Sequence, residues 1–258
     1  GWRASAISPP GSLNGPMPAT GMPATRLAAS GQRPASEAWS WRSSAMATPS
    51  RHWVISDVHG CADALQLLVS RLPAADRIVL CGDVINRGPR IEAAMDLAWD
   101  LVVTGRAVWL MGNHEKRLVD LLHSGIDWAW NDLARCATFR QLGERRCRLW
   151  LERLEHLPLT YGAPGWVATH AGFDPRTWQP DLHVRMPFWQ AYDGRFGEVV
   201  VGHTPGPDVR RLQGGITLID TGACYGGPLT AYCPETQAIE QVPGLITLSS
   251  AMQGLALA

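Results

Sequence analysis

Three short apolar runs, divided by stretches with helical periodicity, restrict this chain to few architectures. His52–Ser56, Arg77–Cys81 and Ala107–Met111 are each five residues of mainly branched or aromatic side chains, a length suited to strands rather than core helices. Between the first two, Leu65, Leu68 and Leu72 recur at helical spacing over Ala62 to Leu72. Further helices are predicted from about Ile91 to Val103 and from about Glu115 to Leu122. Strand, helix, strand, helix, strand implies a parallel sheet with right-handed crossovers. Such sheets bind ligands beyond the carboxyl ends of their strands, so the residues standing there are the first functional question.

The segment from Ile126 to His156 reads as helical, with Trp128, Trp130 and Trp150 taken as core or cap packing. After it come strands at Trp166–His170 and Glu198–His203. Two hairpin-like pairs follow, Val209–Leu212 with Ile216–Asp220 and Leu229–Cys233 with Gln237–Val242. These later strands are expected to build a second sheet packed on the first. The fold class is therefore α/β, two mixed β-sheets packed as a sandwich flanked by helices. The expected division is an extension over residues 1–48 and a folded domain over 49–258 with a helical cap at about 126–156.

The extension is rich in Pro, Gly, Ala and Ser, which cannot bury enough apolar surface to offset chain entropy. It reads as a disordered tail or as the product of an upstream start, since Met46 opens a short leader to Arg51. Arg3, Arg26, Arg33 and Arg42 against Glu37 also suit a transit peptide, but prolines interrupt the amphipathic helix one needs.

With 23 basic and 23 acidic residues the chain has no overall field to attract a nucleic-acid backbone, and nucleic acid is not an expected partner. Cys61, Cys81, Cys136, Cys147, Cys224 and Cys233 show no zinc-ribbon or C-x-x-C spacing and read as buried thiols in a reducing compartment. No apolar run approaches the roughly 18 residues of a membrane span. The expected setting is cytoplasmic, and the oligomeric state is left open.

At the three strand ends stand Asp57-Val58-His59-Gly60, Gly82-Asp83 and Gly112-Asn113-His114-Glu115, and two later strands end in His170 and His203. One Asp or His after a strand is an ordinary turn or cap residue. Five strand ends each delivering an oxygen or imidazole to one face suit two divalent cations. Asp57, His59 and Asp83 would hold one, and Asp83, Asn113, His170 and His203 the other, with Asp83 bridging. Mixed imidazole and carboxylate ligation favours Mn, with Fe or Zn as alternatives, over Ca or Mg. Such a pair acidifies a bridging water and neutralises phosphoryl oxygens, which is phosphoester hydrolysis. His52, His123, His156 and His183 lack spaced partners and read as structural or surface residues.

The blocks Ser56-Asp57-Val58-His59-Gly60, Gly82-Asp83-Val84-Ile85-Asn86-Arg87-Gly88, Gly112-Asn113-His114-Glu115, His170-Ala171-Gly172 and Gly202-His203-Thr204 resemble, in order and spacing, the phosphoprotein phosphatase branch of the calcineurin-like metallophosphoesterases. The segment Asp220 to Gly227 is similar to the closing motif of bacterial members, both small protein phosphatases and symmetrical dinucleoside tetraphosphatases. The resemblance implies that a hydroxide bridging the cations attacks phosphorus. It implies that His114 is the general acid, that Arg87 clamps phosphate, and that a second arginine, here Arg185 rather than Arg176 or Arg195, assists. Asn113 would also touch substrate. Asn86 stands where protein phosphatases carry the aspartate that pairs with this histidine; an amide accepting from the ring lacks the charge that favours imidazolium, so a lower His114 pKa is expected than with Asp. The leading reading is a serine/threonine phosphoprotein phosphatase, the alternative a dinucleoside polyphosphate hydrolase, and a catalytically silent phospho-partner-binding scaffold stands third. Partners would be a phosphorylated protein or a small phosphoanhydride.

Overall fold

The computed structural model describes residues 51–246, so the extension and its competing readings lie outside the described residues. Its strands are β1 His52–Ile55, β2 Arg77–Leu80, β3 Ala107–Trp109, β4 Thr160–Ala163, β5 Trp166–Thr169, β6 Glu198–Val201, β7 Arg210–Leu212, β8 Ile216–Leu218, β9 Pro228–Cys233 and β10 Ala238–Pro243. The helices are α1 Ala62–Arg71, α2 Ile91–Val103, α3 Asn113–His123, α4 Ile126–Arg135, α5 Ala137–Glu155 and α6 Met186–Ala191, with a 3-10 turn at Ala223–Tyr225. One sheet runs β10-β9-β1-β2-β3, the other β4-β5-β6-β8-β7, each of five strands.

The pleat explains how the sheets pack. Successive side chains of a strand point to opposite faces. Trp53 and Ile55 of β1 face the helices and join a core with Leu65, Leu68, Met95, Leu118 and Trp150. Val54 between them faces the second sheet, where Val79, Cys81 and Leu110 meet Trp166, Ala168, Val200 and Ile219. The far face of the second sheet buries Val199, Val201, Ile216 and Leu218 under Phe173, Phe188 and Tyr192. At the start of β1 the two sheets are also tied by polar contacts. Glu235 Oε1 lies 2.7 Å from His52 Nδ1 and accepts from Trp166 Nε1 at 3.1 Å, while His52 Nε2 lies 3.2 Å from Tyr161 Oη. His52 is thus structural; His123 and His156 are surface residues, near Glu155 at 2.8 Å and the Glu152 carbonyl at 2.7 Å.

Three expectations are corrected. The hairpin β9–β10 belongs to the first sheet, not the second: β9 runs antiparallel beside β1, pairing Val54 with Tyr232 and Ile55 with Ala231. Of the three tryptophans assigned to packing, Trp150 is buried, but Trp128 is 89% exposed and Trp130 55%, the latter edge-on to Phe139. Of the six cysteines, all free, Cys136 and Cys224 are half-buried rather than buried. The structure also adds β4, an edge strand antiparallel to β5 that sequence patterning missed.

Among the described residues no helix is long and apolar enough to cross a membrane.

Candidate metal centre

Strands β1, β2 and β3 are parallel, as are β5, β6 and β8, so the ends of β1, β2, β3, β5 and β6 deliver Asp57, Asp83, Asn113, His170 and His203 to one locality. The turns that do this are unusual. His59, Asp83, Asn86, Arg87 and His203 all have positive φ, between 45° and 69°, where non-glycine residues are sterically disfavoured. Two glycines make the close approach possible: a Cβ at Gly112 would overlap Asp83 Oδ1, and one at Gly202 would overlap Asp57 Oδ1.

Each donor atom is then aimed by its other half. Asp57 Oδ1 accepts from the His203 amide and Asp83 Oδ1 from the His114 amide, both at 2.9 Å, leaving each Oδ2 to face inward. His59 Nδ1 lies 2.8 Å from the Ile85 carbonyl and His170 Nδ1 2.9 Å from the Cys81 carbonyl, an arrangement in which Nδ1 donates and the Nε2 lone pair is free. His59 Nε2 is 3.9 Å from Asp57 Oδ2 and 3.7 Å from Asp83 Oδ2. On the other side Asp83 Oδ2 is 3.5 Å from His170 Nε2. Asn113 Oδ1 sits 2.9 Å from that nitrogen and 3.0 Å from His203 Nδ1. Two donor groups, His59 with Asp83 and His114, and Asp83 with His170 and His203, each lie within 4.8 Å and share one carboxylate. All six residues expected from sequence as ligands are brought together, and His114 lies beside them, its Nε2 3.8 Å from Asp83 Oδ2.

The electrostatics fit cations. Asp57 and Asp83 are buried, and burial pushes both well above the usual carboxylate range, with Asp220 raising Asp57 further and Glu115 raising Asp83. Burial likewise lowers His59 and His203 to about 4 and moves His170 well down, which keeps the imidazoles neutral, the form in which they could bind a cation. Cation binding must displace protons from the raised carboxylates. Mn affinity is therefore expected to go on rising with pH above the ordinary carboxylate range; titration calorimetry giving the same Kd at pH 5 and pH 8 would contradict this.

Two further residues shape the site. Glu115, fully buried, accepts from the amides of Gly112 and Asp83 through Oε2 at 3.0 and 2.9 Å, and from Val84 and Ile85 through Oε1 at 2.8 and 3.3 Å. Its place in the third block, in the first turn of α3, is the sequence signal that could have pointed to this. Asp220, buried beside Asp57, accepts from the Gly222 amide at 2.9 Å; it lay in the closing motif but no role followed from it.

The geometry of Asn86 departs from expectation. Its Oδ1 is taken by the Ala137 amide at 2.8 Å, which turns Nδ2 toward His114 Nδ1 at 2.7 Å. Asn86 therefore donates to the ring rather than accepting from it. Arg87, another donor, approaches His114 Nε2 at 3.1 Å. A protonated ring would face two donors with two of its own. Burial, then His59 and Arg87, pushes His114 down to about 3.

Around the rim, Arg87 lies over the exposed Tyr225 ring, 5.4 Å from its centroid. Arg185 Nε donates to Thr204 Oγ1 at 3.1 Å, one residue from His203. Arg195 and Arg176 are instead engaged by Asp193 and Asp174. His183 is exposed, its ring centroid 6.3 Å from that of His203.

The calcineurin-like phosphoesterase family model matches residues 50–231. A symmetrical bis(5'-nucleosyl)-tetraphosphatase of Dechloromonas aromatica is 32% identical over 128 residues, 48% of this chain and 44% of that one. Its counterpart in Xylella fastidiosa is 30% identical over 140 residues, 52% and 46% of the two chains. The matched stretch thus spans under half the length of these relatives. A crystal structure provisionally assigned as a diadenosine tetraphosphatase superimposes with a TM-score of 0.57 at 23% identity over 77% of this chain and 96% of that one, a likeness of fold. The matched family model, extending from just before β1 into β9 and taking in every strand end that carries a donor, shows that the chain belongs to the calcineurin-like phosphoesterases.

Proposed function

We propose that this protein hydrolyses phosphoanhydrides of the dinucleoside polyphosphate type. Asp57, His59 and Asp83 would hold one divalent cation, and Asp83, Asn113, His170 and His203 the other, Mn fitting the mixed donor set best with Fe or Zn as alternatives. When bound, such a pair supplies an acidified water and neutralises charge on phosphoryl oxygens. The chain's own side chains orient the substrate. Arg87 and Arg185 offer guanidinium forks to phosphoryl oxygens, and Asn113 directs its amide to the same face. Tyr225, 61% exposed beside Arg87, gives a nucleobase a surface to stack on.

The observation that carries the anhydride reading over the phosphoprotein reading is the polarity of the Asn86–His114 contact. With Nδ1 accepting from Asn86, a neutral His114 carries its proton on Nε2, and the Arg87 guanidinium 3.1 Å from that nitrogen, itself only a donor, is left to turn to a phosphoryl oxygen. The Nε2 N–H can hydrogen-bond a departing phosphate, a weak base that leaves without full protonation. A serine or threonine alkoxide needs a proton delivered, which favours an imidazolium. The curated relatives, named tetraphosphatases, support the same substrate class. A silent scaffold is disfavoured because the donor set, His114 and Arg87 are all present.

With added Mn, kcat/KM for a diadenosine tetraphosphate is expected to exceed that for a phosphoserine peptide by at least about tenfold, the equivalent of ~1.4 kcal/mol. Equal or reversed rates would remove the proposal. Asn86→Asp is expected to narrow the gap. A carboxylate still accepts from Ala137 and now also from Nδ1–H, so imidazolium is favoured and the basic limb of the pH–rate profile moves upward. If selectivity and profile both stay as in the parent, Asn86 does not set them.

A further inference from the structure

Between β5 and β6 the chain returns to the metal centre over residues 181–185, and both ends of that segment are tied to neighbours of the donor residues. The Asp181 amide donates to the Gly172 carbonyl at 2.9 Å, two residues after His170, and Arg185 Nε donates to Thr204 Oγ1 at 3.1 Å, next to His203. Within the segment Asp181 Oδ1 accepts from the amides of His183 and Val184 at 2.7 and 3.0 Å. Burial then alternates. Leu182 and Val184 are half-buried, Leu182 packing on the helix-covered core of the first sheet and Val184 on the far-face core of the second, while His183 and Arg185 are exposed. With alternate side chains anchored inward, those of His183 and Arg185 emerge together toward solvent.

The ring of His183 is thereby set beside the donor residues without being one of them. Its centroid is 6.3 Å from that of His203 with the planes at 82°, and its ring nitrogens have no hydrogen-bond partner among the described residues. His203 presents Nδ1 to Asn113 Oδ1 at 3.0 Å and to His170 Nε2 at 3.1 Å. In either tautomer the free His183 ring offers one N–H. An N–H donor held next to a guanidinium suits an anionic oxygen. A phosphate monoester has one phosphoryl group to offer the site; a polyphosphate has a second for these two side chains.

We propose that His183 is a substrate-binding residue that, with Arg185, holds the phosphoryl group next in the chain to the one being hydrolysed. The inference rests on the phosphoanhydride reading and deepens it. Arg87, 3.1 Å from His114, belongs to the loops of the first sheet, whereas His183 and Arg185 belong to those of the second. A polyphosphate chain lying across the donor atoms meets hydrogen-bond donors from both.

The test uses the full chain with added Mn, in the parent, His183→Ala and His183→Gln. His183 is exposed, so neither replacement threatens the fold. His183→Ala is expected to raise KM for diadenosine tetraphosphate about tenfold more than KM for an aryl phosphate, the loss of one hydrogen bond to a charged group. Inorganic tripolyphosphate, inhibiting aryl phosphate turnover, should lose affinity to the same degree. That arm is separate from the substrate reading, which falls instead if the parent does not prefer the dinucleotide. His183→Gln, which returns an N–H at similar reach, should recover part of the loss, and bound Mn by elemental analysis should match the parent in both variants. Equal changes for the tetraphosphate and the aryl phosphate overturn the inference. So does a drop in bound Mn, which would mean that His183 acts through His203, and so does a His183→Gln variant no better than His183→Ala.

Discussion

Asp83→Asn is expected to lose both cations together and to lower kcat by about a thousandfold or more, a barrier increase of roughly 4 kcal/mol. Asp83 Oδ2 is the atom that the two donor groups share, at 3.7 Å from His59 Nε2 and 3.5 Å from His170 Nε2. An amide in its place keeps the oxygen that accepts from the His114 amide, so the loop retains its shape while the bridging charge is gone. Asp57→Asn removes a donor from only one of the two proposed cation sites and is expected to leave one tightly held cation per chain. Metal content by elemental analysis beside steady-state kinetics separates the cases. Two cations and parental turnover in Asp83→Asn would end the shared-carboxylate assignment.

Glu115→Ala is expected to have the largest effect on stability. One buried carboxylate serves four main-chain amides. Removing it strands them at ~1 kcal/mol or more apiece, on the order of 4 kcal/mol together. For a domain of this size each kcal/mol moves the midpoint by about 2–4 °C, so Tm should fall by on the order of 10 °C. Asp83, Val84 and Ile85 lose their anchor at the same time, and turnover should fall with stability. Glu115→Gln, which presents an NH₂ to some of those donors, should land between the two. A Tm within a degree or two of the parent in Glu115→Ala would show that water or rearranged backbone takes over those amides.

The contrast between what patterning revealed and what it concealed has physical causes. The central strands were legible because both faces are buried, giving near-continuous apolar runs. The donors were legible because each follows directly on such a run. The placement of β9–β10 was not, since a hairpin signal specifies internal pairing and says nothing of which neighbour it joins; that choice rests on β9 fitting beside β1, where the Ser56 amide donates to the Thr230 carbonyl. Strand β4 was missed because Thr160–Ala163 is a half-buried edge containing Gly162 and carries no alternation. The direction of the Asn86 amide was beyond reach because it is set by Ala137, 51 residues away on another element.

Positions 59, 83, 86, 87 and 203 have a bearing on how this protein can be improved. A left-handed backbone at a side-chain-bearing residue costs of order 1 kcal/mol, and glycine would relieve it at each. Any campaign that ranks variants by heat tolerance alone will thus be drawn to the five places where replacement removes a proposed ligand, the proposed phosphate clamp or the neighbour of His114. Thermostable descendants with their chemistry intact must gain elsewhere, and the 89% exposed Trp128 on α4 offers one such starting point.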